Sequence, residues 1–434
     1  MHKSRFDISV LITTSEARIN GSRLNESNVE LFKACAILEE AGVCSGWIVG
    51  LNRMSSEKML LMILAAWMLD AIPWPLASER FYDQCDVVVD GLIILRGATP
   101  NAHPELKEVA LLHSTSGSTA AEKVVCRSTD SLIAEAEGYR KGMNLGPRDC
   151  VGIPLPLFHS LGSGVAISAL LSGCNIYLNK KKLPSAIAKD LDSGLVNKIV
   201  LTPALAILLT QTRYRDHACV DKILIGAGRV DEKLASAVYH RFGVMPNVGY
   251  GSTETGGSFI GDSGIGKPAD GVEIVWPMKG HQGELVLRMP TPVLGYVHDK
   301  LRTSRIWRTG DIVYRSEKQD IIYIGRRDSE SIRLNGRFLS LNEFHLILKG
   351  MSRISGYIFV VIHDEGGGER LCLAVESDTI LPKEIADHFL DVRSSETFFI
   401  VVVKQFPKNE MGKLDREALI KVIRFGEDRT DDFN

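Results

Sequence analysis

Along the first two-thirds of the chain the apolar positions alternate between two spacings. Residues 28–41 (Asn-Val-Glu-Leu-Phe-Lys-Ala-Cys-Ala-Ile-Leu-Glu-Glu-Ala) set apolar side chains three and four apart and stop at Gly42, the pattern of a helix with a glycine C-cap. Ser45–Leu51 reads as a short buried strand, and 55–70 as another helix. The alternation predicts further strands at 109–113, 150–153, 174–178, 197–201 and 222–225. It also predicts helices over 129–140, 161–171, 184–192, 203–211 and 231–241. Strands alternating with helices predict an α/β sheet whose parallel strands are covered on both faces. The most apolar run, Met59 to Leu69, ends at Asp70 and Pro73. That falls short of the ~20 residues a membrane helix needs, so the run predicts a buried helix.

The pattern changes after Gly251. Residues 272–324 are rich in β-formers and turns (Val-Glu-Ile-Val-Trp, Gly-Glu-Leu-Val-Leu-Arg, Asp-Ile-Val-Tyr, Ile-Ile-Tyr-Ile), the signature of a hairpin or β-barrel-like region. From about residue 329 a smaller α+β unit follows. It has a helix near 341–349, a hairpin turning at Gly366–Gly368, a helix at 383–391, a strand at 397–403 and a polar, frayed tail at 424–434.

Composition narrows the function. At 434 residues the chain suits two to four domains. With 51 Lys+Arg against 53 Asp+Glu, the net charge of −2 argues against a nucleic-acid binder that relies on overall positive charge. Lys180-Lys181-Lys182 reads as a solvated loop. Eight cysteines (35, 44, 85, 126, 150, 174, 219 and 372) are scattered without a CxxC or zinc-ligand spacing, which points to reduced thiols in a cytosolic protein. The start, Met-His-Lys-Ser-Arg-Phe-Asp, lacks the apolar core of a signal peptide.

The stretch richest in chemistry is Leu111-Leu-His-Ser-Thr-Ser-Gly-Ser-Thr-Ala-Ala-Glu-Lys123. A strand enters a loop of small hydroxylated residues that ends in a lysine, offering N–H groups, hydroxyls and a cation to phosphate oxygens. It does not complete a Walker pattern, because Glu122 stands at the second glycine and Val124 follows the lysine. No G-x-G-x-x-G occurs, since Gly249-x-Gly251 runs into Glu254. A P-loop NTPase and a dinucleotide dehydrogenase are thereby disfavoured. Alone, the loop reads as well as a Ser/Thr turn.

Its company decides. Thr-Ser-Gly-Ser-Thr…Lys is followed by Pro156-Leu-Phe-His-Ser-Leu-Gly162 and Gly249-Tyr-Gly-Ser-Thr-Glu254. Then come Gly283-Glu-Leu-Val-Leu-Arg288, Trp307-Arg-Thr-Gly-Asp311, Gly325-Arg-Arg-Asp328 and Pro407-Lys-Asn-Glu-Met-Gly-Lys-Leu-Asp-Arg416. In this order the segments resemble the ANL superfamily of adenylate-forming enzymes, over about residues 20–420. The resemblance implies a large N-terminal core over 1–327 and a small mobile lid domain over 328–434. It also implies a two-step reaction: a carboxylate attacks the α-phosphate of ATP to give acyl-AMP and pyrophosphate, and a thiol then displaces AMP.

Site roles follow from the same resemblance. Thr115, Ser116, Gly117, Ser118, Thr119 and Lys123 match the loop that holds the β- and γ-phosphates. Gly226, Ala227 and Gly228 match the strip that approaches adenine, and Tyr250, within Gly249-Tyr-Gly251-Ser252, the aromatic that stacks on it. Thr253 matches an α-phosphate contact, and Glu254 the carboxylate that binds Mg²⁺. Asp311 matches the acid that grips the ribose diol, and Arg326 a ribose or phosphate contact. Asp328 matches the hinge. Lys413 matches the lysine that reaches both the substrate carboxylate and the α-phosphate. His159 matches the wall between acyl pocket and thiol tunnel, and Gly336 the tunnel lining.

Amino-acid-activating members place an acid near residue 155, and Pro154-Leu-Pro-Leu-Phe-His159 has none. The expected substrate is therefore an aryl or fatty acid without an α-amino group. The expected acceptor is CoA or a carrier-protein phosphopantetheine, in a monomer or homodimer. Ala120, Glu122 and Val124 depart from the family's Gly, Pro and Gly in the phosphate loop, which implies weaker ATP binding. Two other readings stand beside this one: an amino-acid-activating enzyme, and a non-catalytic adenylate-binding relative.

Overall fold

The computed structural model describes residues 4–25, 28–97, 100–115, 123–178, 183–212, 220–318, 320–326, 331–334, 337–351, 353–363, 368–389, 398–407 and 415–427. The chain separates into two compact units, Met1–Thr115 with Lys123–Arg327, and Asp328–Asn434.

Among the described residues the first unit is built on a nine-stranded sheet. Its parallel centre runs Asn247–Ser252, Lys222–Ile225, Lys198–Leu201, Cys150–Gly152, Asn175–Tyr177 and Arg18–Ile19, with antiparallel strands closing both edges. Lys198–Leu201 is buried at every position and Lys222–Ile225 at all but its first. That is the pattern of strands covered on both faces. A second sheet, Ile72–Pro75, Ile48–Asn52, Val87–Asp90 and Ile93–Arg96, packs against the helix Ser56–Met68, every residue of which is buried from Met59 to Trp67. The indole of Trp67 donates to the Ala110 carbonyl at 2.7 Å and so ties this helix to the strand that leads into the hydroxyl-rich loop. The β-rich region forms a four-stranded antiparallel sheet: Glu273–Trp276, His281–Arg288, Ile306–Arg315 and Ile321–Arg326.

The second unit holds a three-stranded sheet in which Gly356–His363 pairs antiparallel with Glu369–Glu376, and Glu369–Glu376 pairs parallel with Phe398–Val403. The helix Asn342–Gly350 packs Phe344 and Leu348 on one face of this sheet. The helix Arg416–Glu427 packs Leu419 and Ile423 on the other.

Several elements differ from the periodicity reading. Val109–Ser114 does not join the parallel sheet but pairs antiparallel with Val124–Ser128. A helix at Arg5–Thr13 starts with a capping box in which Ser4 and Asp7 satisfy each other's backbone N–H. Buried Arg5 donates to the carbonyls of Val109 and Asp70, each at 2.6 Å. The helix expected over 383–391 is shorter, Pro382–Asp387, because Phe389 turns into the core of the second unit. The fraying expected from residue 424 does not begin there, since helix Arg416–Glu427 continues on the burial of Leu419 and Ile423. The turn at Gly366–Gly368 lies partly outside the described residues. No described helix is long and apolar enough to cross a membrane.

Candidate active site

In an open parallel sheet the carboxyl ends of adjacent strands form the crevice where ligands sit. The neighbouring parallel strands Lys222–Ile225 and Asn247–Ser252 bring Gly226–Gly228 and Tyr250–Glu254 to one such end. Ala227 holds a left-handed backbone at φ +60°, and a Cβ at Gly228 would lie 2.6 Å from the Pro203 ring. This strip can pass close to its neighbours only because its flanking residues have no side chain.

Tyr250 and Asp311 meet across two sheets. The Tyr250 phenol donates to Oδ2 of Asp311 at 2.6 Å, and the ring packs edge-on against buried Phe259 at 5.6 Å. Asp311 is itself buried. Its N–H donates to the Thr309 hydroxyl at 3.1 Å, and that hydroxyl donates to the Leu285 carbonyl at 2.9 Å. Glu284, paired with Arg308, accepts from the Gly310 N–H at 3.2 Å. Asp311 faces Arg326 in strand register; the Arg326 side chain lies outside the described residues.

The tight return of the strand bearing Tyr250 is set by packing. A Cβ on Gly251 would overlap the Gly256 carbonyl, and one on Gly256, at φ +68°, would overlap the Glu135 carboxylate. Ser252 and Thr255 close the turn through their hydroxyls, 3.1 Å apart. Thr253 and Glu254 stand at its tip. Beneath them Arg127 and Glu135, with side chains only 2% and 3% exposed, form an ion pair at 2.9 Å. Arg127 also donates to the Ser131 hydroxyl at 3.2 Å and reaches the Thr253 carbonyl at 3.5 Å. Glu135 accepts from the Gly257 N–H at 2.8 Å. The pair thus joins the strand after the hydroxyl-rich loop to both sides of the 253–257 turn.

Thr115 and Lys123 close the mouth of that loop. The Thr115 N–H donates to the Lys123 carbonyl at 2.9 Å, and the Lys123 N–H donates to the Thr115 hydroxyl at 3.2 Å. The Lys123 ammonium lies 4.8 Å from the centre of the Tyr296 ring, and the Tyr296 phenol donates to Oε1 of Glu254 at 2.9 Å. Burial first, and the Glu254 charge second, push the Tyr296 phenol above its ordinary pKa. Ser116, Gly117, Ser118 and Thr119, the hinge Asp328, the tunnel glycine Gly336 and Lys413 lie outside the described residues, as do Ala120 and Glu122. Val124 is buried as the first residue of its strand.

His159 sits at the start of helix Ser160–Leu171 with its exposed ring 4.7 Å from Phe158. Behind it His113 is fully buried, its Nε2 3.0 Å from the Ser163 hydroxyl. Burial, reinforced by the Arg127 charge, pushes its pKa from 6.5 down to about 3.

The donor set fits a magnesium ion. The turn offers the carboxylate of Glu254, with Thr253 and Thr255 next to it in the chain contributing hydroxyls. Mg²⁺ is ordinarily held in this way, by one or two carboxylates with phosphate oxygens and waters.

Sequence reading missed Arg127, Glu135, His113 and Tyr296. His113 lies within the Leu111–Lys123 stretch but was given no role there, and Tyr296 lies eight residues beyond Gly283–Arg288, outside every recognised segment.

A family model described as AMP-binding enzyme matches residues 79–297, about half of the chain. The 2-succinylbenzoate–CoA ligase of Staphylococcus epidermidis is 24% identical over 334 residues, a match spanning 72% of this chain and 70% of the ligase. Among solved structures, the amide bond synthetase McbA from Marinactinospora thermotolerans has the same fold at a TM-score of 0.71 and 18% identity, with 97% of this chain and 99% of that one covered. The o-succinylbenzoate CoA synthetase of Bacillus subtilis does so at 0.71 and 16%, covering 96% and 98%.

Two predictions follow from this geometry. Arg127→Leu should destabilise the protein by about 3–5 kcal/mol, because Glu135 is left buried without its counter-ion, and Arg127→Leu/Glu135→Leu should recover most of that loss. Urea unfolding midpoints measure both. Because the His113 pKa is lower folded than unfolded, its contribution is complete above pH 6.5 and is lost as pH falls toward 3. His113→Gln should therefore flatten the fall in stability between pH 6.5 and 4.5 by about 1 kcal/mol per pH unit, read from unfolding curves at the two pH values.

Proposed function

The chain belongs to the AMP-binding enzyme family, and on that premise we propose that it is an ATP-dependent acid–thiol ligase for a carboxylic acid without an α-amino group. The reading is carried by the arrangement around one short segment: Tyr250 is bonded to the buried Asp311 at one end, and Glu254 stands four residues on beside Tyr296 and Lys123. Asp311 offers two acceptor oxygens to a vicinal diol, and the Tyr250 ring offers a face to a purine. Lys123 and the hydroxyl-rich loop offer donors to a triphosphate. A nucleotide laid along the segment has its base and ribose at one end and its phosphates at the other.

In the first step a carboxylate oxygen of the acid attacks the α-phosphorus, and the bond to pyrophosphate breaks. In the second the thiolate sulfur attacks the acyl carbon, and the bond to AMP breaks. The protein supplies position and charge. Thr253 contacts the α-phosphate, and Lys413 brings an ammonium to the oxygens where charge gathers. Asp328 is the hinge between the half-reactions, and Gly336 and His159 line the approach of the thiol. When bound, Mg²⁺ neutralises charge on the phosphates, with Glu254 as its protein ligand.

The absence of an acid in Pro154–His159 supports an aryl or fatty acid over an amino acid. The named activity of the staphylococcal relative supports an aromatic carboxylate and CoA as acceptor. The described cysteines 35, 44, 85, 126, 150, 174 and 372 are free, in keeping with a reducing cytoplasmic setting.

Carboxylate-dependent ATP–pyrophosphate exchange over short, long and aromatic acids and amino acids tests the proposal. Exchange is expected with an aryl or fatty acid, followed by thioester formation with CoA or holo-carrier protein. No exchange with any acid would overturn it, and exchange with amino acids alone would establish the amino-acid-activating reading. Lys413→Ala should lower exchange on the order of 10²–10³-fold yet still convert supplied acyl-AMP to thioester. Unchanged pyrophosphate release would remove Lys413 from the chemistry.

A further inference from the structure

Tyr296 lies outside every segment that carries the family resemblance, yet it touches two of the residues those segments supply. Its ring seats the Lys123 ammonium at 4.8 Å and its hydroxyl holds Glu254 at 2.9 Å. Its own place is fixed from the same side. The Cys126 N–H donates to the Gly295 carbonyl and the Val297 N–H to the Val124 carbonyl, each at 2.9 Å, and Tyr296 bridges Val125. The segment carrying Tyr296 is thus laced to the strand that follows Lys123, and its side chain reaches across to the turn carrying Glu254. We propose that Tyr296 is a positioning residue for the metal–nucleotide complex, its hydroxyl orienting the Glu254 carboxylate and its ring orienting the Lys123 ammonium toward the same phosphates.

A neutral spacer suits this task. An ammonium on the ring face gains from the ring quadrupole without losing its three N–H donors to a carboxylate. A carboxylate that accepts one phenolic hydrogen bond keeps its other lone pairs for a cation. Partners that orient a ligating carboxylate typically contribute 10–100-fold in metal affinity.

The inference rests on the proposed use of ATP, and the test separates the two. ATP binding is measured by titration calorimetry with Mg²⁺ and again with EDTA, on wild type, Tyr296→Phe and Tyr296→Leu, with thermal midpoints alongside. Tyr296→Phe keeps the ring and should weaken binding of Mg·ATP about tenfold while leaving binding in EDTA unchanged. Tyr296→Leu removes the seat of Lys123 as well and should weaken ATP binding in both media. In exchange assays Tyr296→Phe should raise the KM for Mg·ATP, with the KM for the acid and thioester formation from supplied acyl-AMP unaltered. Glu254→Gln/Tyr296→Phe should bind Mg·ATP no worse than Glu254→Gln, since the hydroxyl acts through the carboxylate. Equal binding by wild type and Tyr296→Phe would overturn the inference, as would a loss of equal size in EDTA. Wild-type protein that binds no ATP at all would instead overturn the proposed function.

Discussion

The buried ion pair between Arg127 and Glu135 is the constraint on which the rest of the site depends. Two charges with side chains 2% and 3% exposed carry a large desolvation cost, which their mutual attraction offsets only where the remaining valences are used. Here they are: Arg127 also serves the Ser131 hydroxyl and the Thr253 carbonyl, and Glu135 the Gly257 N–H. Each extra bond ends on backbone or a helix start that must be held for the turn at 253–257 to exist. The same guanidinium helps to keep His113 neutral under the strand. The polar core of this region is therefore one connected network, and the turn with Thr253 and Glu254 is built on top of it.

From that base the two ends of the site are ordered by different means. The proposed ribose end is held by a long strand: Asp311 is preceded by Thr309 and Gly310, whose hydrogen bonds to Leu285 and Glu284 lock its approach to Tyr250. The proposed phosphate end is ordered through side chains, with Lys123 and Glu254 each in contact with Tyr296. A nucleoside has a fixed shape that rewards a rigid cradle, whereas a triphosphate changes charge and geometry during reaction. Longer side chains can follow such a change where backbone cannot.

Much of the fold was legible because the parallel strands and their helices have clean spacings. Runs such as Lys198–Leu201 and the all-buried Met59–Trp67 leave little choice of element. The misses have physical reasons. Ile72–Pro75 holds two prolines, and it is a strand because it lies at the edge of its sheet, where a missing N–H costs nothing. Helix Arg5–Thr13 is apolar without a marked stripe and owes its place to Arg5 reaching distant carbonyls. Val124–Ser128 follows the polar loop directly and ends in Arg and Ser, so its apolar run is too brief to mark a strand. At the site, sequence order supplied residues that contact a nucleotide in the resembling family. It could not supply Arg127, Glu135 or Tyr296, because their value lies in contacts between positions 8 to 126 apart, and a linear pattern does not encode which of many arginines, glutamates and tyrosines meet.

The interposed tyrosine also bears on why the site does not collapse on itself. An ammonium and a carboxylate left beside each other in a partly dehydrated crevice attract strongly, and a direct pair would use up the donors and acceptors that a metal–nucleotide complex requires. Placing a ring between them divides that attraction into a cation–π contact and a single hydrogen bond, both weaker than a desolvated ion pair. In the proposed complex each is weak enough to yield to phosphate oxygens and a divalent cation, and strong enough to hold its group in place beforehand. Preorganisation of this kind lowers the cost of binding without neutralising the groups that bind. The position of Tyr296 is in turn secured by backbone pairing to Val124 and Cys126, so the spacer is anchored to the strand that follows Lys123.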